Sequence, residues 1–340
     1  MPKYRRDHII QKRKKKKRRI IKWISFIFLF VILAGASYAY YLFEKTRDAV
    51  SNSYEEIRPN QAKRNLKDES FSILFVGVDD SRSRKFNEST RTDALILATF
   101  NPKDKSVKMV SIPRDSYVYI PSEDQYDKIN HAHVHDGVKG TVETVEHLFD
   151  MQIDYYVKIN FYAFIDIVDA LGGIEAEVPY DIVEKDAEDQ YTIKLEEGYQ
   201  HLNGEEALAL ARTRKKDNDI ERGKRQQEII KAIIKKAASM GSITKYDDII
   251  DTVSENMKTN LKFDEMLSLI SYATTGTNLN IESHQLKGYD DYTNAGYYYR
   301  LDEQSVEEIS QVFKNHLHGT VYTSSDSTHQ AYPNTKANEE

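Results

Sequence analysis

A run of 21 residues without a formal charge, Trp23 to Phe43, divides this 340-residue chain into two parts of opposite charge. About 20 predominantly apolar residues are enough for a helix to cross the hydrocarbon core of a bilayer. Aromatic rings are enriched at both membrane interfaces, and the run has Trp23 at one end and three tyrosines near the other. The sequence therefore predicts a transmembrane signal-anchor helix over residues 20–43.

A cleaved signal peptide is the alternative for this segment, because Ala34-Gly35-Ala36 resembles a cleavage site. The apolar core of a signal peptide is typically about 7–15 residues long. The run here is longer, so its length favours an anchor that stays in the protein.

The charge difference between the two parts predicts how the anchor is oriented. Residues 1–19 contain 11 Lys/Arg and one acid, whereas the chain from residue 44 onward carries 36 basic and 53 acidic residues, a formal net charge of −17. Basic segments next to a membrane span stay in the cytoplasm. We therefore expect a single-pass type II protein of the cell membrane, with a cytoplasmic tail over residues 1–19 and the long acidic part outside the cell.

Nucleic-acid binding is the alternative role for the basic tail. A lysine run beside a membrane span is more typical of a topology signal or of a contact with anionic lipid. The acidic remainder is a poor partner for another polyanion, so we expect no nucleic-acid partner. The chain has no cysteine, which excludes disulfides, thiolate catalysis and cysteine-based zinc sites.

Strand-like and helix-like segments alternate in the long part of the chain. Apolar runs of strand length begin at Phe71, Ala94 and Ser106, and helical patterns of apolar residues follow from Val138 and Phe161. This alternation predicts an α/β fold with a mixed central sheet covered by helices on both faces. We expect one extracellular domain over residues 71–318, a polar stalk over 44–70 and a disordered tail over 319–340.

One predicted helix carries arginines where a core helix would carry apolar residues. Its inward-facing stripe begins with Arg222, Arg225 and Gln226. The stripe continues with Ile229, Ile230, Ile233, Ile234 and Ala237. Burying unpaired guanidinium groups is costly, and arginine suits a planar, bidentate anion such as phosphate. The pattern predicts that the start of this helix faces an anion.

Two aspartates flank the first two predicted strands. Asp79 follows the first strand and Asp93 opens the second, so neighbouring strands would bring both carboxylates to one edge of the sheet. Mg²⁺ usually takes one or two protein carboxylates together with waters and substrate phosphates. A turn role is the alternative, because aspartate at a strand end is common in turns.

The order of several short motifs resembles that of the LytR-CpsA-Psr family. The motifs are Val76-Gly77-Val78-Asp79, Arg91-Thr92-Asp93, Ile112-Pro113-Arg114-Asp115, Asp127-Lys128-Ile129-Asn130, Asp169 to Ile174, Leu202 to Leu208, Arg212-Thr213-Arg214, Asp219, Arg222 and Arg225-Gln226-Gln227. The resemblance covers about residues 71 to 318. It implies a membrane-anchored phosphotransferase that moves a glycopolymer, such as wall teichoic acid or capsule, from a polyprenyl-pyrophosphate carrier to a peptidoglycan sugar hydroxyl.

The resemblance also implies roles for individual residues. It implies that Asp79 and Asp93 hold Mg²⁺ or Mn²⁺, and that Asp219 orients the arginines. It implies catalytic roles for Asp93, Arg114, Arg212 and Asp219. The residues implied to contact the pyrophosphate and its surroundings are Arg91, Arg114, Arg212, Arg214, Arg222, Arg225 and Gln226.

Several alternatives stay open at this point. A polyprenyl-pyrophosphate pyrophosphatase would use the same site with water as the acceptor, and a membrane-bound transcriptional attenuator would need DNA contacts from the basic tail. The general base is undecided between Asp93 and Asp115. A zinc site at His131, His133 and His135 is the alternative to a polar loop there.

Overall fold

A six-stranded mixed sheet forms the centre of the molecule, as the alternating pattern predicts. The computed structural model describes residues 53–58, 64–78, 90–186, 190–214, 218–239, 256–274, 279–294 and 296–318. The strand order is β11-β6-β1-β2-β3-β12. These strands are β1 (Phe71–Val78), β2 (Thr92–Asn101), β3 (Ser106–Ser111), β6 (Tyr155–Asn160), β11 (Met257–Thr259) and β12 (Asn280–Gln285).

The sheet is mixed because hairpins and crossovers both contribute to it. Strands β1, β2 and β3 pair antiparallel in sequence order, whereas β6 pairs parallel with β1 and β12 pairs parallel with β3. A parallel pair needs a crossover connection, which helices supply here. The central strands are buried on both faces, so they read as continuous apolar runs.

Helices cover both faces of the sheet, as the sequence predicts. They are α1 (Ala132–Phe149), α2 (Phe161–Ala170), α3 (Gly204–Arg212), α4 (Asp219–Ser239), α5 (Phe263–Thr274) and α6 (Glu303–His318). On one face α1 and α6 pack together, and the rings of Phe149 and Phe313 stack with centroids 6.4 Å apart. On the other face Ile230 and Ile234 of α4 pack against a core that includes Ile96 of β2. This second face carries the candidate site.

Four small two-stranded sheets flank the central sheet. They pair β4 (Tyr117–Ile120) with β5 (Gln125–Lys128), β7 (Ile174–Val178) with β10 (Gly198–Leu202), β8 (Ile182–Glu184) with β9 (Ile193–Leu195) and β13 (Gly288–Thr293) with β14 (Gly296–Leu301). Most of these strands are three to six residues long and carry exposed residues. Such short segments lack the apolar runs by which longer strands are recognised.

The end of α2 is fixed by two glycines. Gly172 and Gly173 have φ angles of 75° and 82°, which L-residues rarely adopt. A Cβ at Gly173 would also lie 2.3 Å from Nε2 of His201. These glycines close the helix and turn the chain directly into β7.

The predicted polar stalk over residues 44–70 is wrong where the structure describes it. Tyr54 forms a β-bridge with Thr259, Leu66 is buried in the core, and Nε of Arg64 lies 3.0 Å from Oδ1 of Asp154. Isolated anchoring residues in a polar stretch give no period, so the sequence does not reveal this packing.

The predicted anchor over residues 20–43, the tail over 1–19 and the tail over 319–340 lie outside the described residues. Within the part of the chain that is described, none of the helices combines the length and the apolar character that crossing a bilayer requires.

Candidate functional site

A long pocket lies between the sheet and the helices on the α4 face. Its volume is about 520 Å³, and its wall is apolar over most of its surface. Apolar residues on the wall include Ile73, Phe75, Ile96, Phe100, Val157, Ile159, Phe164, Ile167, Ile229, Ile230, Ile233, Ile234, Leu269 and Leu279. The charged side chains that the described residues contribute to the wall lie at one end, where β2 and α4 begin: Asp93, Arg114, Arg212, Arg214 and Arg222.

The length of the pocket follows from the two elements that run along it. On β2 its wall extends from Asp93 to Phe100, and on α4 from Arg222 to Ala237. Seven residues of strand and fifteen residues of helix both span roughly 22 Å. The pocket is therefore long enough to hold an extended hydrocarbon chain between its charged end and its apolar end.

The predicted stripe of α4 forms one wall of this pocket. Arg222 and Gln226 lie at its charged end, and Ile229, Ile230, Ile233, Ile234 and Ala237 continue along it. Gly223 lets the helix approach the sheet, because a Cβ there would lie 2.7 Å from Oγ of Ser111. The helix therefore enters the site close to β3.

Arg114 and Asp93 form an ion pair at the charged end. Nη1 of Arg114 donates to Oδ1 of Asp93 over 2.6 Å. Burial disfavours the charged guanidinium, but Asp93 and further carboxylates outweigh it and hold the pKa of Arg114 above its ordinary value. The pair presents a guanidinium and a carboxylate to the same side of the pocket.

Asp115 lies behind this pair. Its side chain is 3.4 Å from Nε of Arg114 and accepts a hydrogen bond of 2.8 Å from Nζ of Lys128. Burial opposes ionisation of this carboxyl, yet the hydrogen bond and the charges of Lys128 and Arg114 hold the pKa of Asp115 below its ordinary value. Asp115 is therefore a carboxylate at neutral pH, tied to two cations.

Asp219, the first residue of α4, orients two further arginines. Its Oδ1 lies 3.2 Å from Nη2 of Arg222 and 3.5 Å from Nε of Arg214. An acid in the first turn also suits the positive end of a helix dipole. Nη2 of Arg222 additionally lies 3.4 Å from the backbone oxygen of Asp93, so α4 and β2 meet at this point.

The guanidinium of Arg222 is buried and only partly satisfied. Burial lowers its pKa to about 10, which leaves the group protonated at neutral pH. Nε of Arg222 is buried without a hydrogen-bond partner among the described residues, and Nε of Arg114 lies 3.4 Å from Oδ2 of Asp115, which is longer than a normal hydrogen bond. Both residues line the pocket, so an anion there would be a further partner for their guanidinium groups.

Arg212 and Gln226 complete the charged end. The guanidinium of Arg212, the last residue of α3, lies 4.5 Å from the ring centroid of Phe161, a cation–π geometry that fixes the side chain on the wall. Gln226 donates over 3.3 Å to the backbone oxygen of Ala211. Phe161 and Lys128 were not among the predicted site residues, although Lys128 lies in the Asp127-Lys128-Ile129-Asn130 motif.

Two predicted pyrophosphate contacts lie elsewhere. Arg225 is buried and donates to the backbone oxygens of Leu210 and Thr213, so it holds the α3–α4 connection and does not line the pocket. Helical spacing puts Arg225 near the stripe but does not resolve which neighbour it reaches. Arg91 is exposed and is not part of the pocket wall.

The predicted metal pair is described only in part. Asp93 lies at the pocket mouth, whereas Asp79 lies outside the described residues. Val78, which precedes Asp79 in sequence, pairs with Thr92, which precedes Asp93. Among the residues described, no group of three or more His, Asp and Glu side chains forms a metal cluster. Mg²⁺ accepts a single protein carboxylate when waters and substrate phosphates supply the other ligands, and Asp93 could be that carboxylate.

The three histidines point to separate partners. His131 contacts Asp127 at 2.7 Å, His133 contacts the backbone oxygen of Thr90 at 2.6 Å, and His135 contacts Glu123 at 3.4 Å. They lie on a 3-10 turn and the start of α1 rather than on a strand. This arrangement does not form a zinc site.

Comparison with known proteins agrees with this geometry. The LytR_cpsA_psr family profile matches residues 37–315. The polyisoprenyl-teichoic acid–peptidoglycan teichoic acid transferase TagT of Bacillus subtilis (strain 168) is 40% identical over 320 residues, which cover 90% of this chain and 98% of the relative. The transferase TagU of Bacillus subtilis (strain 168) is 39% identical over 314 residues, covering 90% and 98%.

Solved structures share the fold and bind ligands. TagT bound to LIIa-WTA superposes with a TM-score of 0.65 at 39% identity, covering 77% of this chain and 95% of that one. TagT with bound octaprenyl pyrophosphate lipid superposes with a TM-score of 0.60 at 36% identity, covering 78% and 96%. With its profile match, its curated relatives and its arginine-lined pocket, this chain belongs to the LytR_cpsA_psr family.

Proposed function

We propose that this protein transfers a glycopolymer from a polyprenyl-pyrophosphate carrier to a sugar hydroxyl of peptidoglycan. One observation carries the proposal: in the part of the chain that the structure describes, an apolar pocket of about 520 Å³ has its charged residues, four arginines and Asp93, gathered at one end. An apolar tail and an anionic head group are the two halves of a polyprenyl pyrophosphate. The names of the relatives describe transfer of teichoic acid to peptidoglycan, and one solved relative binds an octaprenyl pyrophosphate.

The polyprenyl tail lies along the isoleucines of α4 and the face of β2. Burying apolar surface contributes roughly 25 cal/mol per Å², so a long tail supplies binding energy far from the reacting atoms. Remote binding energy of this kind can be used to position the reacting group. The pyrophosphate is then fixed where the pocket wall changes from apolar to charged.

The arginines act on the charge of the pyrophosphate. Phosphoryl transfer depends on positioning and on neutralising the charge that develops on oxygen. Arg114 and Arg222 face the phosphates from the charged end of the pocket, and Arg212 and Arg214 flank them on the pocket wall. Among the described residues on the wall, four guanidinium groups meet one carboxylate, and Asp219 behind them orients two of the four.

Transfer forms one bond and breaks another at the same phosphorus. The acceptor hydroxyl oxygen bonds to the phosphorus that carries the glycopolymer, and the bond from that phosphorus to polyprenyl phosphate breaks. The arginines stabilise the leaving phosphate, and the hydroxyl proton passes to a carboxylate. Asp93 and Asp115 are the two candidates in reach of this end, and Asp115 is held ionised by Lys128 and Arg114.

Magnesium fits this site as a partner of the phosphates. Asp93 would hold it, with Asp79 as the second protein ligand, and the remaining positions would go to phosphate oxygens and water. When bound, the ion would neutralise charge on the phosphates. We expect activity to depend on Mg²⁺ or Mn²⁺. Asp93→Asn should raise the metal concentration needed for half-maximal activity, which would support this assignment. Full activity after complete chelation would contradict it.

The substrate also explains the proposed location of the protein. A polyprenyl-linked donor is confined to a bilayer, so an anchor over residues 20–43 would keep the domain beside it. The basic tail over residues 1–19 would hold the N terminus in the cytoplasm, and the domain would face the cell wall.

The experiment that tests the function uses the full chain in lipid vesicles. The vesicles contain a polyprenyl-pyrophosphate-linked glycan, and soluble peptidoglycan strands are added as the acceptor. We expect a glycan–peptidoglycan phosphodiester, detected by mass spectrometry, together with released polyprenyl phosphate. Hydrolysis of the donor at the same rate with and without acceptor, and with no conjugate formed, would assign the protein as a pyrophosphatase instead.

A further inference from the structure

Five tyrosines lie on two hairpins that adjoin the segment carrying Arg114 and Asp115. The hairpins β4–β5 and β13–β14 join through a bridge between Ser116 and Tyr299, and the backbone nitrogen of Tyr299 donates to the oxygen of Asp115 over 2.9 Å. The tyrosine ledge, as we name it, consists of Tyr117, Tyr119, Tyr126, Tyr297 and Tyr298. It is therefore attached directly to the segment that carries Arg114 and Asp115.

Four rings of the ledge, those of Tyr117, Tyr119, Tyr126 and Tyr298, are linked by ring contacts. Tyr117 stacks on Tyr126 with centroids 5.5 Å apart, meets Tyr298 edge-on at 5.1 Å, and Tyr119 lies 5.5 Å from Tyr126. The opposite side of β4 is apolar and buried, through Val118 and Ile120. The hairpin therefore uses one side for the core, while its tyrosines lie on the other.

One ring of the ledge is largely exposed to solvent. Tyr126 is 60% exposed, although its ring contacts two neighbours. Arg300 places its guanidinium 3.8 Å from the ring centroid of Tyr117 and is itself held by Asp291 at 2.7 Å. Arg300 and Asp291 therefore fix the ring of Tyr117, while the ring of Tyr126 stays accessible to a ligand.

One cation connects the ledge to the catalytic end. Nζ of Lys128 lies 5.7 Å and 5.5 Å from the ring centroids of Tyr297 and Tyr298 and donates to Asp115 over 2.8 Å. Arg114 lies 3.4 Å beyond Asp115. Neither Lys128 nor the tyrosines of the ledge are on the pocket wall, so the ledge lies outside the lipid pocket, on the Asp115 side of Arg114.

We propose that the tyrosine ledge binds the acceptor, a β-1,4-linked N-acetylhexosamine chain, and presents its hydroxyl to the phosphorus at Arg114. This proposal rests on the proposed function. The attacking and leaving oxygens of a phosphoryl transfer are roughly in line. Polyprenyl phosphate leaves toward the pocket, so the acceptor arrives from outside it, and the ledge lies outside it on the Asp115 side of Arg114.

The chemistry of the ledge suits a saccharide. A tyrosine ring offers an apolar face to the C–H groups of a sugar ring and a hydroxyl at its edge, with little conformational freedom to lose. Carboxylates adjoin the rings, since Asp124 accepts from the hydroxyl of Tyr119 and Asp290 accepts from that of Tyr297 over 2.9 Å. Sugar hydroxyl groups can donate to the remaining lone pairs of these carboxylates.

The test uses the full chain in detergent micelles and two readouts. Binding of a soluble β-1,4-linked N-acetylglucosamine tetrasaccharide is measured by calorimetry, and transfer is measured against donor and acceptor concentration separately. Tyr126→Ala should weaken tetrasaccharide binding and raise the KM for acceptor by about fivefold to 30-fold, as expected for an exposed aromatic anchor. The kcat and the KM for donor should stay within about twofold.

Two control variants make the result specific to the ring of Tyr126. Tyr126→Phe keeps the ring and should retain most of the binding, and Tyr199→Ala, which removes a 70% exposed tyrosine of β10 outside the ledge, should change nothing. A rise in the KM for donor with the acceptor KM unchanged would assign the ledge to the donor glycan and overturn the proposal. Unchanged acceptor KM and tetrasaccharide binding in Tyr126→Ala with Tyr298→Ala would also overturn it.

A binding measurement separates failure of the ledge proposal from failure of the proposed function. Tetrasaccharide binding by Arg114→Ala, which removes transfer but leaves the ledge intact, tests the ledge independently of catalysis. Binding that depends on Tyr126 in this background supports the ledge, even if the wild-type protein transfers no glycan. Absence of binding in an actively transferring protein overturns the ledge and leaves the function standing.

Discussion

The guanidinium of Arg114 and the carboxylate of Asp93 meet over 2.6 Å where the apolar pocket becomes charged. The two residues come from the end of one strand region and the start of another, since Arg114 follows β3 and Asp93 lies near the beginning of β2. Antiparallel pairing of β2 with β3 brings these ends together. The sheet therefore places a cation and an anion side by side at the site of the proposed reaction.

Replacing Arg114 should remove catalysis without unfolding the protein. Arg114→Ala deletes a preorganised donor, and loss of one such donor typically lowers kcat by about 10²–10³-fold. Transfer kinetics with the full chain in vesicles would measure the loss, and circular dichroism would confirm the fold. Arg64→Ala, at an ion pair remote from the pocket, serves as the charge-matched control. Equal activity of Arg114→Ala and wild type would refute the site.

Arg225 and Arg214 should respond differently to replacement by alanine. Arg225→Ala leaves the backbone oxygens of Leu210 and Thr213 without this donor, at a cost of about 1–3 kcal/mol in unfolding free energy. Arg214 is 41% exposed, so Arg214→Ala should change stability by less than about 0.5 kcal/mol while it lowers transfer. Urea unfolding and transfer assays on both variants decide this. An Arg225→Ala protein with wild-type stability would assign Arg225 to the substrate instead.

Gly223→Ala should destabilise a helix that alanine would ordinarily stabilise. Alanine in a helix interior is favoured over glycine by about 1 kcal/mol, but a Cβ at position 223 would lie 2.7 Å from Oγ of Ser111. Overpacking of this kind costs about 1–3 kcal/mol and would displace Arg222. Thermal unfolding of Gly223→Ala and of the double variant with Ser111→Gly, which removes the clash, measures the effect. A stabilised Gly223→Ala would show that α4 is not tightly seated on β3.

Filling the pocket should weaken lipid binding more than it changes stability. Ile230 lines the pocket wall on α4, and Ile230→Trp would occupy space that the polyprenyl tail needs. We expect the affinity for polyprenyl pyrophosphate to fall by more than about tenfold, equivalent to 1.4 kcal/mol. Quantitative mass spectrometry of lipid bound to the full chain gives the readout, and Ile230→Leu is the volume-matched control. Retained binding in the tryptophan variant would place the tail elsewhere.

His316 should make the protein sensitive to mild acid. Its ring lies between the hydroxyls of Thr99 and Ser106, each at 2.8 Å, and burial lowers the pKa of His316 from 6.5 to about 4. The unfolded chain thus binds a proton at a higher pH than the folded chain. The contribution of His316 to the free energy of unfolding is therefore fully present above pH 6.5 and is lost as the pH falls toward 4.

The loss from this one group amounts to at most about 3 kcal/mol at low pH. Urea unfolding at pH values between 7.5 and 4.5 would follow it. His316→Gln, which keeps a polar group between the two hydroxyls, should flatten the pH dependence, although His133 keeps its own contribution because burial also lowers the pKa of His133 to about 4. An identical pH slope in the variant would contradict the assignment.

The order of strands and helices and the residues of the α4 stripe are evident in the amino-acid sequence. Long apolar runs such as β1 and β2, and isoleucines at helical spacing on α4, are local patterns that a chain reveals without its fold. The family motifs likewise lie in the sequence. The predicted mixed sheet, with helices on both faces, followed from these local patterns.

Which arginines face the pocket depends on the packing of α4 against its neighbours and is not evident in the sequence. Arg222 and Arg225 are three residues apart on one helix, yet Arg222 lies on the pocket wall and Arg225 is tied to the backbone of the α3–α4 connection. Helical period fixes the direction of a side chain to within one face, but a long guanidinium side chain reaches any acceptor on that face. The tyrosine ledge depends in the same way on a bridge between Ser116 and Tyr299, which joins two hairpins distant in sequence and which no local pattern encodes.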